Sequence, residues 1–260
     1  MFSWVSRSDL PDEGTIEWLF DVYRWLLEET GGYAAFRSRA RLVLATDEFF
    51  PISRDLEGDA LAQALFAAAR SHAGMAARSC QLIGHEEDAT AKDLLGARAI
   101  GEFSSSGPAG IFHGADAGRG IISYAPSGLR DPESFLATLA HELGHFLMHD
   151  FTREVPGSEE AREPATDVCA IFFGFGVFSA NAAFRFEQHQ DAFTQGWSYR
   201  RLGYLGEREL SYALAIFLAL LGLDARAAAP HLRPNPRAYV KNALKHLAKE
   251  RAGDIAAFRS

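Results

Sequence analysis

The stretch 131–150, DPESFLATLAHELGHFLMHD, constrains this chain more than any other, because it reads as a buried helix and yet carries two histidines and a glutamate in its middle. Asp131 is a favoured N-cap, Pro132 suits the first helical position, where a missing N–H costs nothing, and Glu133 complements the positive end of the helix dipole. The helix is therefore expected to start at Pro132 and to run to about Asp150. Leu139, Ala140, Leu143, Gly144, Phe146 and Leu147 are uncharged and can pack it into a core. Within it, His141-Glu142-Leu143-Gly144-His145 sets two imidazoles at i and i+4, one turn apart on one face, where both can bind a single ion.

Composition removes the competing explanations. The 260 residues are 48% hydrophobic and 23% charged, as in ordinary globular proteins. Their 34 acidic and 26 basic residues give a net charge of −8 without any block of like charge. Nucleic acid or an anionic membrane as the main partner would need a concentrated positive footprint, so neither is expected. Cys80 and Cys169 are far apart and form no CxxC pair, which excludes a disulfide scaffold, a cysteine zinc finger and an iron–sulfur site. The first ten residues have no apolar core of the secretory kind, and a cytoplasmic location is expected. The apolar runs at 168–178 (VCAIFFGFGVF) and 212–223 (YALAIFLALLGL) fall short of the roughly 20 residues that cross a bilayer; the first is read as a buried core helix, and the helix 207–223 as one buried against the metal-site helices or in an oligomer interface.

Along the chain, apolar spacing predicts a helix over 15–29 ended by Gly31-Gly32, and an alanine-rich helix over 59–77. Short strands are expected at 41–46 (RLVLAT), 79–84 (SCQLIG), 97–103, 110–113 and 120–124, with a flexible loop over 101–110. A helix is expected over 159–179, with Pro164 in its first turn or at a kink, and further helices over 207–223 and 236–251. The segment 197–204 (WSYRRLGY) reads as a loop packing on the helix before it. The division implied is an α/β part over 1–130 and a mostly helical part over 131–260. The fold class expected is α+β, with a small mixed sheet ahead of the motif helix.

Zinc fits the imidazole pair, but a catalytic zinc usually takes three protein ligands and keeps one open position. Downstream, Glu159, Glu160 and Glu163 are on offer. Glu163 is the best of these, because Asp167 follows at i+4 and can accept a hydrogen bond from the outer nitrogen of a zinc-bound histidine, fixing its tautomer. Glu142, one position along from His141, can reach a water on the ion instead of the ion itself.

HELGH followed by a helix carrying ExxxD resembles the gluzincin branch of the zincin metallopeptidases, the group that includes the thermolysin-like and the ImmA/IrrE-type peptidases. The resemblance covers about 131–178. It implies His141, His145 and Glu163 as zinc ligands, Glu142 as general base, Asp167 as the carboxylate behind a ligand, and a peptide or protein as substrate. It also implies a zincin-like sheet with an edge strand that takes up extended substrate by β-augmentation. The expected strand is 120–124 (GIISY), the last strand-like run before the helix. Two departures stand out. Position 151, where the metzincin pattern has a third histidine, is Phe151. His149 lies one turn beyond His145, but three ligands at successive i+4 steps on a straight helix diverge, so it is read as a helix C-terminal residue that suits the dipole. Thermolysin-like enzymes also stabilise the oxyanion with a downstream histidine and tyrosine, for which His189, His231, Tyr199, Tyr204 and Tyr212 are all available. The reading from sequence is a zinc-dependent metallopeptidase; the alternative is a zincin-like zinc-binding regulatory or partner-binding protein without turnover. The presence of Glu142, which a purely structural zinc would not need, favours catalysis.

Overall fold

The computed structural model describes residues 9–84, 110–116, 119–191 and 205–259. In chain order its main elements are α1 (Glu13–Glu29), α2 (Gly32–Arg39), α3 (Gly58–His72), β1 (Ser79–Gly84), β2 (Gly110–Asp116), β3 (Arg119–Tyr124), α4 (Pro132–Met148), α5 (Arg162–Ala170), α6 (Gly176–Asp191), α7 (Glu207–Leu221), α8 (Pro234–Glu250) and α9 (Ala252–Ala257). The class is α+β, rich in helix. Contacts group the chain into two units, residues 1–44 with 152–260, and residues 45–151. The sequence-based division at 130/131 used the helix start at Asp131, a local signal; the contact grouping instead keeps α4 with β2, on which it packs. The expected strand at 97–103, the loop at 101–109 and the segment 197–204 lie outside the described residues.

The first unit is a helical assembly built on α1. Asp12 caps that helix by accepting from the Thr15 amide at 3.0 Å and from its hydroxyl at 2.8 Å. The apolar positions that predict the helix, Ile16, Leu19, Phe20, Tyr23, Leu26 and Leu27, are all buried. Tyr23 donates its hydroxyl to the Ala213 carbonyl of α7 at 2.7 Å, so the one polar atom of this buried ring is satisfied. Phe20 stacks on Phe258 at 5.7 Å, and Phe36 contacts Phe172 at 4.8 Å and Phe217 at 5.8 Å between ring centres. Burying each such side chain stabilises the fold by about 1.5–3 kcal/mol. Arg251, at the end of α8, reaches Glu13 and Glu17 at 2.8 Å each, bonds Asp254 and lies 4.7 Å from the Phe20 ring centre.

Two sequence expectations fail here for one reason. The run 41–46 forms no strand, and the helix expected over 159–179 is broken: a 3-10 turn (Glu159–Ala161) leads into α5, and a π-helical turn (Ile171–Phe175) joins α5 to α6. The break is at Gly174 and not at Pro164, which sits in the first turn of α5. Leu42 and Val43 are buried, and the Val43 amide donates to the Gly174 carbonyl at 3.0 Å. RLVLAT therefore spends a backbone bond on the helix kink instead of on a strand ladder. Gly174 has φ 101°, and a Cβ there would collide with the Arg41 carbonyl oxygen. Only glycine allows both the left-handed backbone and the close approach. The span Arg162–Ala183 is long and apolar enough, by length and composition, to cross a membrane, and 89% of its most apolar window is buried inside the protein.

The second unit is a three-stranded sheet with α3 and α4. Its order is β1-β3-β2, β1 running parallel and β2 antiparallel to β3, with Leu82 opposite Ile122 and Phe112 opposite Ile122 on the other side. Thus β3, expected to be an edge strand, is central among the described strands. It pairs with β1 on one side and β2 on the other, and its Ile122, Ser123 and Tyr124 are all buried. The sheet approaches α4 where β3 has no side chain, since a Cβ on Gly120 would lie 2.9 Å from the Phe146 ring. Phe112 meets Phe146 at 5.8 Å. On the far side of β1, Gln63 and Arg70 of α3 donate to the Leu82 and Cys80 carbonyls at 3.0 and 3.3 Å. Tyr124 donates to Asp59 at 3.0 Å; burial and the neighbouring Asp59 raise this phenol to about 12, so it stays a neutral donor.

Gly174→Ala is expected to cost about 3 kcal/mol or more, because it adds left-handed strain to a backbone collision. Denaturant unfolding measures this, and a loss below about 1 kcal/mol would mean that the kink is not held as described.

Candidate metal centre

The motif helix forms as the sequence predicts. Asp131 caps it through Ser134, accepting from its amide at 3.5 Å and its hydroxyl at 2.7 Å, and Pro132 occupies the first turn. Most of α4 is buried, including Glu142 at 3% and His145 at 7% exposure, while His141 is half-buried. The one-turn spacing brings the two imidazoles together edge to face, with Nε2 of His141 and Nε2 of His145 3.1 Å apart. Two ring nitrogens on a tetrahedral zinc, each at 2.0–2.1 Å, would be separated by about 3.3 Å. The spacing of the pair is close to what one shared metal ion would need. The same separation also suits a hydrogen bond between the two ring nitrogens.

Glu142 points elsewhere. One of its carboxylate oxygens accepts the Phe112 backbone amide of β2 at 2.7 Å. The bond is short and buried, so it fixes the side chain relative to β2. Nothing in the sequence links Phe112 to Glu142; the only trace is that 110–113 reads as a strand. β2, and not β3, is thus the strand beside the motif glutamate. The end of α4 is secured by Arg78, which donates to Asp150 at 2.6 Å and lies 5.8 Å from the Phe146 ring centre.

Glu163 and Asp167 stand in the other unit, on α5, one turn apart and both half-buried. Pro164 costs this helix nothing, because a first-turn residue has no carbonyl partner for its N–H, and Thr166 returns its hydroxyl to the Arg162 carbonyl at 2.9 Å. Glu160, one of the alternative ligands, is exposed and close to the Ser158 hydroxyl at 3.5 Å. The side chain of Glu159 lies outside the described residues. His149 is the C-cap residue of α4, exposed, with Nδ1 3.5 Å from Asp150.

Of the residues considered for oxyanion stabilisation, Tyr199, Tyr204 and the side chain of His189 lie outside the described residues. Tyr212 is fully buried in α7, and its hydroxyl is 2.8 Å from Nδ1 of His246. Burial pushes the Tyr212 phenol well up and lowers the His246 imidazole, so both are neutral near pH 7 and the phenol donates to the ring nitrogen. The His231 carbonyl accepts from the Asn181 side chain at 2.9 Å.

Comparison with known proteins finds no matching family model, no similar curated protein and no similar solved structure.

Tyr212→Phe is expected to lower stability by about 1 kcal/mol, since it orphans the His246 ring nitrogen, and to leave zinc affinity unchanged. Denaturant unfolding and chelator competition on the same preparation read the two quantities; a large loss of zinc affinity would give Tyr212 a role at the metal.

Proposed function

We propose that this chain is a zinc-dependent metallopeptidase of zincin type, in which His141, His145 and Glu163 hold the ion and Glu142 is the general base. The observation that carries the proposal is the approach of the two Nε2 atoms of HELGH within 3.1 Å, on a helix that also buries the glutamate between them. The donor set agrees with it: His141, His145 and Glu163 offer one ligand atom each, and such a group could hold a metal ion. Two imidazoles and a carboxylate suit zinc and leave a fourth position for a reactant. Asp167, one turn from Glu163, is the carboxylate proposed to receive the outer N–H of a ligand histidine. A sheet whose antiparallel strand β2 lies against α4 is compatible with the zincin arrangement.

Bound zinc would polarise the scissile carbonyl and make a water acidic enough to be deprotonated near neutral pH. The work of the chain is then proton transfer and placement. Glu142 would take the proton from that water and return it to the leaving amine nitrogen, so that the carboxylate ends a cycle in the protonation state in which it began. Its second task, staying in place during both transfers, falls to the Phe112 amide, which ties down one oxygen. The buried surroundings supplied by Leu139, Leu143 and Phe146 strengthen each of these electrostatic contacts relative to water.

Glu142→Gln is expected to abolish cleavage of a random-sequence peptide mixture, scored by new amino termini, while one equivalent of zinc stays bound. Undiminished, chelator-sensitive turnover in this variant would refute the role of Glu142. An enzyme that binds zinc stoichiometrically yet cleaves nothing in any peptide pool would favour the binding protein without turnover. Glu163→Ala is expected to weaken zinc by about 100-fold or more, as removal of one of three ligands should; full zinc occupancy at low micromolar metal would move the third ligand elsewhere.

A further inference from the structure

We infer that Glu29, the last residue of α1, is a positioning residue for Glu163, acting through the segment 152–158 from which α5 starts. The inference rests on the proposed role of Glu163 as a zinc ligand. A carboxylate at the C-terminal end of a helix opposes the helix dipole, and the Glu29 side chain is only 7% exposed. Both features count against a glutamate here unless it is answered by donors. It is answered by the chain that leads into α5: the Thr152 amide at 3.0 Å, the Arg153 amide at 3.1 Å and the Thr152 hydroxyl at 3.3 Å all donate to its two oxygens.

Glu29 does not act alone. Trp18, Trp25 and Glu29 fall at i, i+7 and i+11, one stripe of α1, and all three engage the same segment. The Trp25 indole N–H donates to the Arg153 carbonyl at 3.3 Å and that of Trp18 to the Pro156 carbonyl at 2.9 Å. Gly157 then turns the chain with φ 105° beneath the Trp18 indole, and the Ala161 amide closes onto Ser158 at 2.8 Å just before α5. Arg153 adds ion pairs to Glu28 and Glu29. The stripe is itself anchored, because Tyr23 and Arg251 fix α1 to α7 and to the end of α8. One stripe of α1 thus holds Thr152, Arg153 and Pro156 of this segment by side-chain hydrogen bonds. Glu163 follows in the first turn of α5, so a slip of this segment moves its carboxylate, and zinc affinity is sensitive to ligand placement of a few tenths of an ångström.

The test uses the full chain with Glu29→Gln, which keeps the size of the side chain but turns one acceptor oxygen into an amide facing an N–H donor, and Trp18→Phe, which removes the indole donor together with part of the ring. Three readings are taken on metal-free and loaded protein: the melting temperature without metal, zinc affinity by chelator competition at 25 °C, and the visible spectrum of the cobalt(II) form. The expected result is zinc bound about 10-fold more weakly by Glu29→Gln, with an altered cobalt spectrum, while the metal-free protein stays folded at the assay temperature. A lower melting temperature with unchanged zinc affinity and spectrum overturns the inference and leaves the zinc reading standing, because Glu29 is then only structural. If Glu163→Ala binds zinc as tightly as the parent chain, the ligand assignment fails and this inference falls with it. Should Glu29→Gln not fold, Trp18→Phe decides by the same readings, with parent-like affinity and spectrum counting against the inference.

Discussion

A helix that buries nearly all of its surface cannot leave an ionisable side chain in the interior without a partner, since an isolated charge there is far costlier than any apolar contact can offset. α4 is such a helix, and much of the 45–151 unit can be understood as the answer to its three polar groups. The two imidazoles face one another at hydrogen-bonding distance, and Glu142 meets the Phe112 amide. For β2 to present that amide, the sheet has to come close to the helix. It does so over Gly120, where Phe146 fills the space that a side chain would need. The carboxylate proposed to transfer protons and the imidazole pair proposed to bind the ion thus come from one packing problem.

The other unit solves a different problem, that of a backbone group in an apolar environment. The buried pair Leu42 and Val43 forms no strand, the Val43 amide bonds a carbonyl on the long apolar helix, and that helix gives way at Gly174, whose φ is 101°. The π-helical turn follows from this demand, in line with the tendency of such turns to mark places where a ladder has been broken for a tertiary reason. Without that break, α5 and α6 would form a single rod, and the first turn of α5 would be tied to everything downstream.

What could be read from the sequence divides along the same physical line. Signals that act within one turn were legible: the Asp131 cap with Pro132, the imidazole pair at i and i+4, and the apolar stripe of α1 from Ile16 to Leu27 all appear as expected. Strands 79–84 and 120–124 were legible as elements, but their neighbours were not, because pairing order depends on partners remote in sequence; GIISY is central among the described strands. RLVLAT carries β-type residues, yet its backbone partner is Gly174, more than a hundred positions away. In the site, His141, His145 and Glu142 were identifiable from spacing alone. The Phe112 amide and the Glu29 carboxylate were not, since a backbone donor has no sequence signature and a helix-terminal glutamate reads as an ordinary surface residue.

The arms that α3 extends to β1 have a consequence for the life of the protein in a crowded solution. A strand with free outward carbonyls is a template on which another chain can add, and the first step of many aggregation routes is such an addition. In β1 the carbonyls of Cys80 and Leu82 are already engaged by Arg70 and Gln63. An incoming strand would have to displace a guanidinium and an amide before gaining its first bond. Among the described strands, the sheet therefore keeps a strand next to Glu142 while the side of β1 that faces α3 is already engaged.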